Sequence, residues 1–397
     1  MSQTRILVGV EKALYYNTTE SFPRSLPIDI DNRLTENRKK IFFTAYEFHL
    51  KFKTMPGLVY GYLPYLSKRL NWSEEDKLWF AFLNGCTQNP STSWIIFNKF
   101  PSISKLNIHE FNSWYFSEIN SDKKLVWQML PIDMDRRHFR NKVHLAISAY
   151  KDNLGGNSQV DFFNRLTNNE NKFYNFRKLW NAVFSGIGIK TKFYSFGRLS
   201  SFSYLEYLWI SGLNIDCDSF FCEDYSGSSS HRNGMCWLMG REDLDEHKSN
   251  PKYEKGKGLH TKEVIEMIDE NMENLYQEAL ERYKGTEIES AVSRFTLESQ
   301  LCNYKSWHRK SRRYPNVYGD MAYQRLLNVE SMPEFSDINF DIFWDARKSF
   351  MPYELRPECD KNNVGLSSYK QNLYRRTGRQ HTLGLIDPLY EGVPVNR

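Results

Sequence analysis

The sequence predicts a mainly α-helical protein with at most a small accessory sheet. Apolar residues recur at helical spacing over several long stretches, and no strand–helix–strand alternation interrupts them. No alternating apolar/polar run exceeds about five residues, which leaves little material for strands. A length of 397 residues is long for one hydrophobic core and implies more than one module.

Three segments follow from the pattern: an irregular N-terminal arm over 1–37 with Pro23 and Pro27, a helical module over 38–335, and a helix with a basic tail over 336–397. Within the module, Ile41, Phe42, Tyr46, His49, Leu50 and Phe52 share a helical face, and Pro56–Gly57 breaks it before Val59, Tyr60, Tyr62 and Leu63 resume. Ser73 is placed to cap a helix running to about Asn84, with Glu74, Glu75 and Asp76 in the first turn complementing the helix dipole. The NGCTQNPSTSW stretch, residues 84–94, then reads as a turn carrying Thr87, Gln88 and Asn89.

Further helices over 108–183 are separated by Pro131 and by Gly155–Gly156, and the basic run Arg136, Arg137, Arg140 and Lys142 reads as a solvated face. Thr261 begins a long helix to Lys284, residues 287–307 make a second, and residues 333–350 a third.

Charge and motifs narrow the function classes. The net charge of +5 is uneven: residues 305–313 and 375–379 are basic, while 214–224 and 263–290 are acidic. With 15% aromatic residues nearby, the basic stretches are compatible with nucleic acid, and a solvated face explains them equally well. Six cysteines without a C-x-x-C pair point to reduced thiols in a cytosolic setting. There is no signal-like N-terminus and no apolar run approaching ~18 residues, so neither secretion nor a membrane span is expected. GKGLHT at 256–261 lacks the spacing of a phosphate-binding P-loop. His138 and His144 are six apart with nothing to complete a site, so no metal on protein ligands is assigned.

The chemistry concentrates in two places. Between Phe193 and Gly234, Arg198 precedes a short apolar helix carrying Glu206, and an acidic stretch with Asp216, Asp218, Glu223 and Asp224 leads into a loop from Ser226 to Gly234. Gly and Ser let backbone N–H groups converge on an anion while Arg232 adds a donor fork, although a Ser-rich solvated connection has the same composition. In the second place, Glu298, Cys302 and Lys305 fall at spacings of four and three, so they project from one sector of a helix.

Taken together and in order, FGR with YLEYL (Arg198, Glu206), the acidic stretch into GSSSHRNG (Asp224, Ser226, Ser228, Arg232, Asn233, Gly234), and LESQLCNYK followed by RRY and GD (Glu298, Cys302, Lys305, Arg313, Tyr314, Asp320) resemble the helical phage enzymes called α-glutamyl/putrescinyl thymine pyrophosphorylases, or amino acid:DNA transferases. The module is similar to the one joined to a P-loop in phage 5-hydroxymethyluracil DNA kinases, and the likeness covers roughly residues 75–330.

The resemblance implies a multi-helix, DNA-glycosylase-like architecture acting on double-stranded phage DNA in the host cytoplasm. The implied reaction sets an amino acid or other amine in place of pyrophosphate on modified uracil. The missing P-loop favours the transferase over the kinase.

In such a reaction Asp224, Glu298 and Glu206 are candidates to take the amine's proton, with Lys305 beside them. Arg198, Arg232, Lys305 and Arg313 are candidates for pyrophosphate, assisted by Ser226, Ser228 and Asn233. Gln88, in a turn like the polar turn that helical base-excision glycosylases hold near DNA, is a candidate DNA contact. Tyr194, Phe196, Phe202 and Tyr225 are candidate stacking rings, or core aromatics. Nothing in the sequence calls for a cofactor, and a Mg2+ bridging the pyrophosphate fits the chemistry. A glycosylase-like enzyme on a flipped pyrimidine and a non-catalytic DNA-binding module are the other readings.

Overall fold

The structure, a computed structural model, describes residues 35–53, 55, 59–119, 123–184, 193–224, 229–247, 250–254, 257–307, 325–350, 361, 381–382 and 385–386. It is mainly α, as the periodicity predicts. Among the described residues the strands are two short antiparallel pairs, β1 (Glu118–Ile119) with β2 (Lys124–Leu125) and β3 (His381–Thr382) with β4 (Leu385–Ile386). Among the described residues, no helix is long and apolar enough to cross a membrane.

Two compact units divide the chain. The first is built on Tyr62–Asp218 and is rejoined by the stretch ending at Ala346; the second is built on the stretch ending at Gly61 and on the one that begins at Ser219, and takes in the residues from Arg347. Among the described residues, where 325–330 are also helical, the helices labelled in chain order are α1 (Thr35–Phe52), α2 (Val59–Arg69), α3 (Glu74–Thr87), α4 (Pro90–Lys99), α5 (Ile108–Tyr115), α6 (Val126–Met129), α7 (Val143–Leu154), α8 (Gln159–Leu166), α9 (Lys172–Val183), α10 (Arg198–Ile210), α11 (Ser230–Leu238), α12 (Lys262–Tyr283), α13 (Arg294–Trp307) and α14 (Asp341–Phe350).

In the first unit α3 is the axis. Ser73 caps it in a reciprocal box with Asp76, as its sequence predicts. Every residue from Leu78 to Thr87 is buried, so the helix is covered on all sides. It runs three residues beyond Asn84, and the expected turn shrinks to Gln88 and Asn89, because Asn89 caps α4 and Pro90 follows at the first helical position.

Gly85 lets α10 close on α3: a Cβ there would stand 3.0 Å from the Tyr204 ring and 3.3 Å from Phe196. Around that contact Phe82 stacks on Tyr150 at 3.9 Å, with Phe193, Phe196 and Tyr204 against them. Phe196 and Phe202 are thus core aromatics of this unit.

Arg136 corrects the expectation of a solvated basic face. Its guanidinium lies 3.9 Å from the Phe139 ring and 4.8 Å from Phe196, and it donates to the carbonyls of Ser195 at 2.7 Å and Cys86 at 3.3 Å and to Ser200 Oγ at 3.1 Å. Burial lowers its pKa and pushes the Cys86 thiol up to about 12. A charged side chain this deep persists because several acceptors replace its water.

The second unit packs α1, α12 and the α11–α13 pair around Phe42, Phe43, Tyr46, Phe295 and Tyr304. Tyr46 shares a hydrogen bond with Thr296 at 2.6 Å, and Tyr283 donates to the Phe43 carbonyl at 3.0 Å. Thr261 caps α12 as predicted.

The helix expected over 287–307 is instead a 3-10 turn, Glu289–Ala291, followed by α13. The Ser293 hydroxyl accepts from Phe295 N while Thr296 Oγ1 accepts from Ser293 N, so local hydroxyls take over the backbone and restart the helix. Residues 333–350 divide likewise into a 3-10 turn, Pro333–Phe335, and α14.

Candidate active site at the α11–α13 seam

The stretch expected to be loop as far as Gly234 becomes helical at Ser230. Gly234 serves contact between helices and not flexibility. A Cβ on it would lie 2.1 Å from the Leu301 carbonyl oxygen and 2.7 Å from the carbonyl carbon, so α11 and α13 touch backbone to backbone. Residues three and four apart share a helix face, so His231 is carried to the same seam as Gly234 and Glu298 to the same seam as Leu301.

The outcome is a compact cluster. His231 is fully buried with Nδ1 at 3.3 Å from Glu298 Oε1. Cys302, one turn beyond Glu298 and half-buried, completes a group of ligand-type atoms all within 4.8 Å of one another. Three residues further, Lys305 Nζ donates to Ser230 Oγ at the first residue of α11. The described part of the first motif, 229–234, and the LESQLCNYK motif, 297–305, therefore meet at one seam of one unit.

Arg232 and Asn233 point elsewhere on α11 and tie its flanking loops together. Arg232 Nη1 donates to the Cys222 carbonyl at 2.6 Å, and its Nη2 lies 3.9 Å from Glu246. Asn233 Oδ1 accepts from Glu246 N at 3.0 Å. Glu246 in turn accepts from Leu259 N at 3.0 Å and faces His260 Nδ1 at 3.3 Å. Burial pulls the His260 pKa down against the opposing pull of Glu246, and pushes the Cys236 thiol up to about 12. Asp224 is half-buried in the same approach to α11, its N–H bonded to the Phe221 carbonyl at 3.1 Å.

The first unit holds the other described candidates. Arg198 opens α10 and is buried, with its guanidinium 6.0 Å from the Phe202 ring; Glu206 lies two turns along and is also buried. Gln88 adopts a left-handed conformation, φ 47, at the corner between α3 and α4, and its amide reaches Ser203 Oγ at 3.4 Å. Around it Thr87 and Ser93 share a hydrogen bond at 2.7 Å, and Asn89 donates to Asp133 at 2.6 Å, which is also ion-paired with Arg325. A non-glycine residue held at positive φ inside such a polar network is a form of stored strain that often accompanies binding sites.

Ser226, Ser228, Arg313 and Tyr225 lie outside the described residues. His231 is the residue that sequence spacing missed. Its pairing with Gly234 three positions on, if read as a helix and not a loop, is the signal that would have found it.

Comparison with known proteins matches the same region. The family model described as amino acid:DNA transferase covers residues 62–314. A serinyltransferase of Salmonella phage ViI is 28% identical over 316 residues, 77% of this chain and 71% of that protein. No solved structure matches. The family match extends over more than half of the chain and takes in α10, α11 and α13 with all the motifs they carry. On this ground the chain belongs to the amino acid:DNA transferase family, transferases that modify DNA with an amino acid.

Proposed function

We propose that this protein replaces the pyrophosphate of pyrophosphorylated 5-hydroxymethyluracil in double-stranded DNA with the amine of an amino acid. The C–O bond to pyrophosphate breaks at the methylene on the pyrimidine, a C–N bond forms at that carbon, and the amine gives its proton to a carboxylate. Such a displacement requires cations fixed in advance where the leaving group gathers charge, and a base beside the amine.

The observation that carries this reading is the bond from Lys305 to Ser230, which joins two motifs 75 residues apart. In the proposal Lys305, Ser230 and the first N–H groups of α11 hold the pyrophosphate, since a helix N-terminus favours anions. Ser226, Ser228 and Arg313 add donors, and a Mg2+ ion arriving with the pyrophosphate shares its charge. Asp224 takes the amine's proton. Glu298 supplies fixed negative charge beside His231, while Arg232 and Asn233 keep the loops around α11 in register.

Gln88 and Arg198 are assigned to DNA contact by the first unit. Glu206, two turns beyond Arg198, is assigned to holding α10 in place. Serine is the first amine to examine, from the name of the phage ViI relative, and the host cytoplasm is the proposed place of action.

The test is to incubate the protein with DNA bearing pyrophosphorylated 5-hydroxymethyluracil and serine, then digest and weigh the nucleosides. The expected product has lost pyrophosphate and gained serine, with one pyrophosphate released per adduct. Unchanged nucleosides with serine and with every other amine, or free base and abasic sites in place of an adduct, would overturn the proposal.

A further inference from the structure

We propose that His231, Glu298 and Cys302 bind one divalent d-block cation, zinc or a close neighbour. The inference goes beyond the transfer reaction and does not depend on which base or amine is used.

The donor set is the first argument. An imidazole nitrogen, a carboxylate oxygen and a thiolate sulfur suit zinc, cobalt or iron, whereas Mg2+ and Ca2+ take oxygen ligands. The proposed ion is therefore a different one from any Mg2+ that accompanies pyrophosphate.

Spacing is the second. Two ligands each about 2.1 Å from a tetrahedral zinc stand about 3.4 Å apart. His231 Nδ1 and Glu298 Oε1 are 3.3 Å apart. A direct charge-assisted hydrogen bond between them would be shorter, about 2.7–2.9 Å. The Cys302 sulfur, with its longer bond to metal of about 2.3 Å, lies in the same group within 4.8 Å. Cys302 is half-buried, one turn from Glu298 on the same face of α13.

Rigidity and charge are the third. Glu298 and Cys302 are one turn apart on α13 and His231 comes from α11, two helices whose backbones meet at Gly234 and Leu301. The ligands are thus held by regular elements and not by loops, as a preformed site requires. One carboxylate, one thiolate and a neutral imidazole together neutralise a dication, which buried surroundings demand.

Among the described residues the group has three members and no fourth His, Cys, Asp or Glu. Lys305, one turn beyond Cys302, places a positive charge beside the group.

The experiment uses the full-length protein stripped with chelator and titrated with Co2+, with the metal content of untreated protein measured by mass spectrometry. The expected result is close to one equivalent of Co2+ per chain and a near-ultraviolet thiolate-to-cobalt band. Cys302→Ala should abolish the band and weaken Co2+ binding by more than the 10–100-fold typical of losing an outer partner, while circular dichroism stays that of wild type. His231→Gln, read in the same way where it folds, should weaken binding with the thiolate band reduced. Absence of a Co2+ band in the wild type, or a band that survives Cys302→Ala and so belongs to other thiols, overturns the site.

Discussion

Lys53 shows how much one buried charge can shape the behaviour of the protein. Its ammonium is buried and donates to the Leu50 carbonyl at 2.5 Å. Burial, opposed only in part by Glu287, brings its pKa down to about 7 from an ordinary 10.5. In the unfolded chain the amine keeps its proton up to the higher value. Between these two limits the unfolded state binds more protons, so stability rises with pH through that window. We expect the denaturant midpoint to climb from pH 7.5 to 9.5, and Lys53→Met to flatten the climb while raising stability at the lower end; equal slopes in the two proteins would remove Lys53 as the cause. No periodicity or motif announces this, because whether a lysine is exposed depends on what other segments cover it. Arg136 was misjudged on the same ground: four cationic residues in seven look solvated until Phe139 and Phe196 close over one of them.

At the scale of elements, caps were legible and helix contacts were not. Ser73 and Thr261 announce α3 and α12 because capping is chemistry between residues a few positions apart. The α11–α13 seam depends on a residue with no side chain meeting a backbone 67 positions later, and Gly234 in a Ser-rich context reads as loop. Its role gives a sharp expectation. Gly234→Ala puts a Cβ where the Leu301 carbonyl stands, and neither atom belongs to a flexible side chain that can move aside. Overpacking of this kind costs typically about 1–3 kcal/mol, and a backbone–backbone clash belongs at the upper end. Urea unfolding of the variant should show a loss of about 3 kcal/mol, whereas Gly197→Ala, with open space around its Cβ, should change little. Equal stability in the two variants would mean that the seam can open without cost.

For the molecule as a whole, the family was legible in three short motifs whose order counted more than any one of them, and the comparison with known proteins bears that out. What the order could not convey is that Lys305 reaches Ser230 and that His231 joins Glu298 and Cys302, since both depend on how two helices cross. The proposed chemistry sits at the α11–α13 seam. Its most direct test compares wild type with Lys305→Ala, at matched folded protein and saturating DNA, by the mass of amino-acid-modified nucleosides formed per minute. Loss of a preorganised cation at the leaving group should lower turnover by roughly 100–1,000-fold, with the unfolding transition unchanged. Turnover by Lys305→Ala within a few-fold of wild type would contradict the claim and move the chemistry away from α11 and α13.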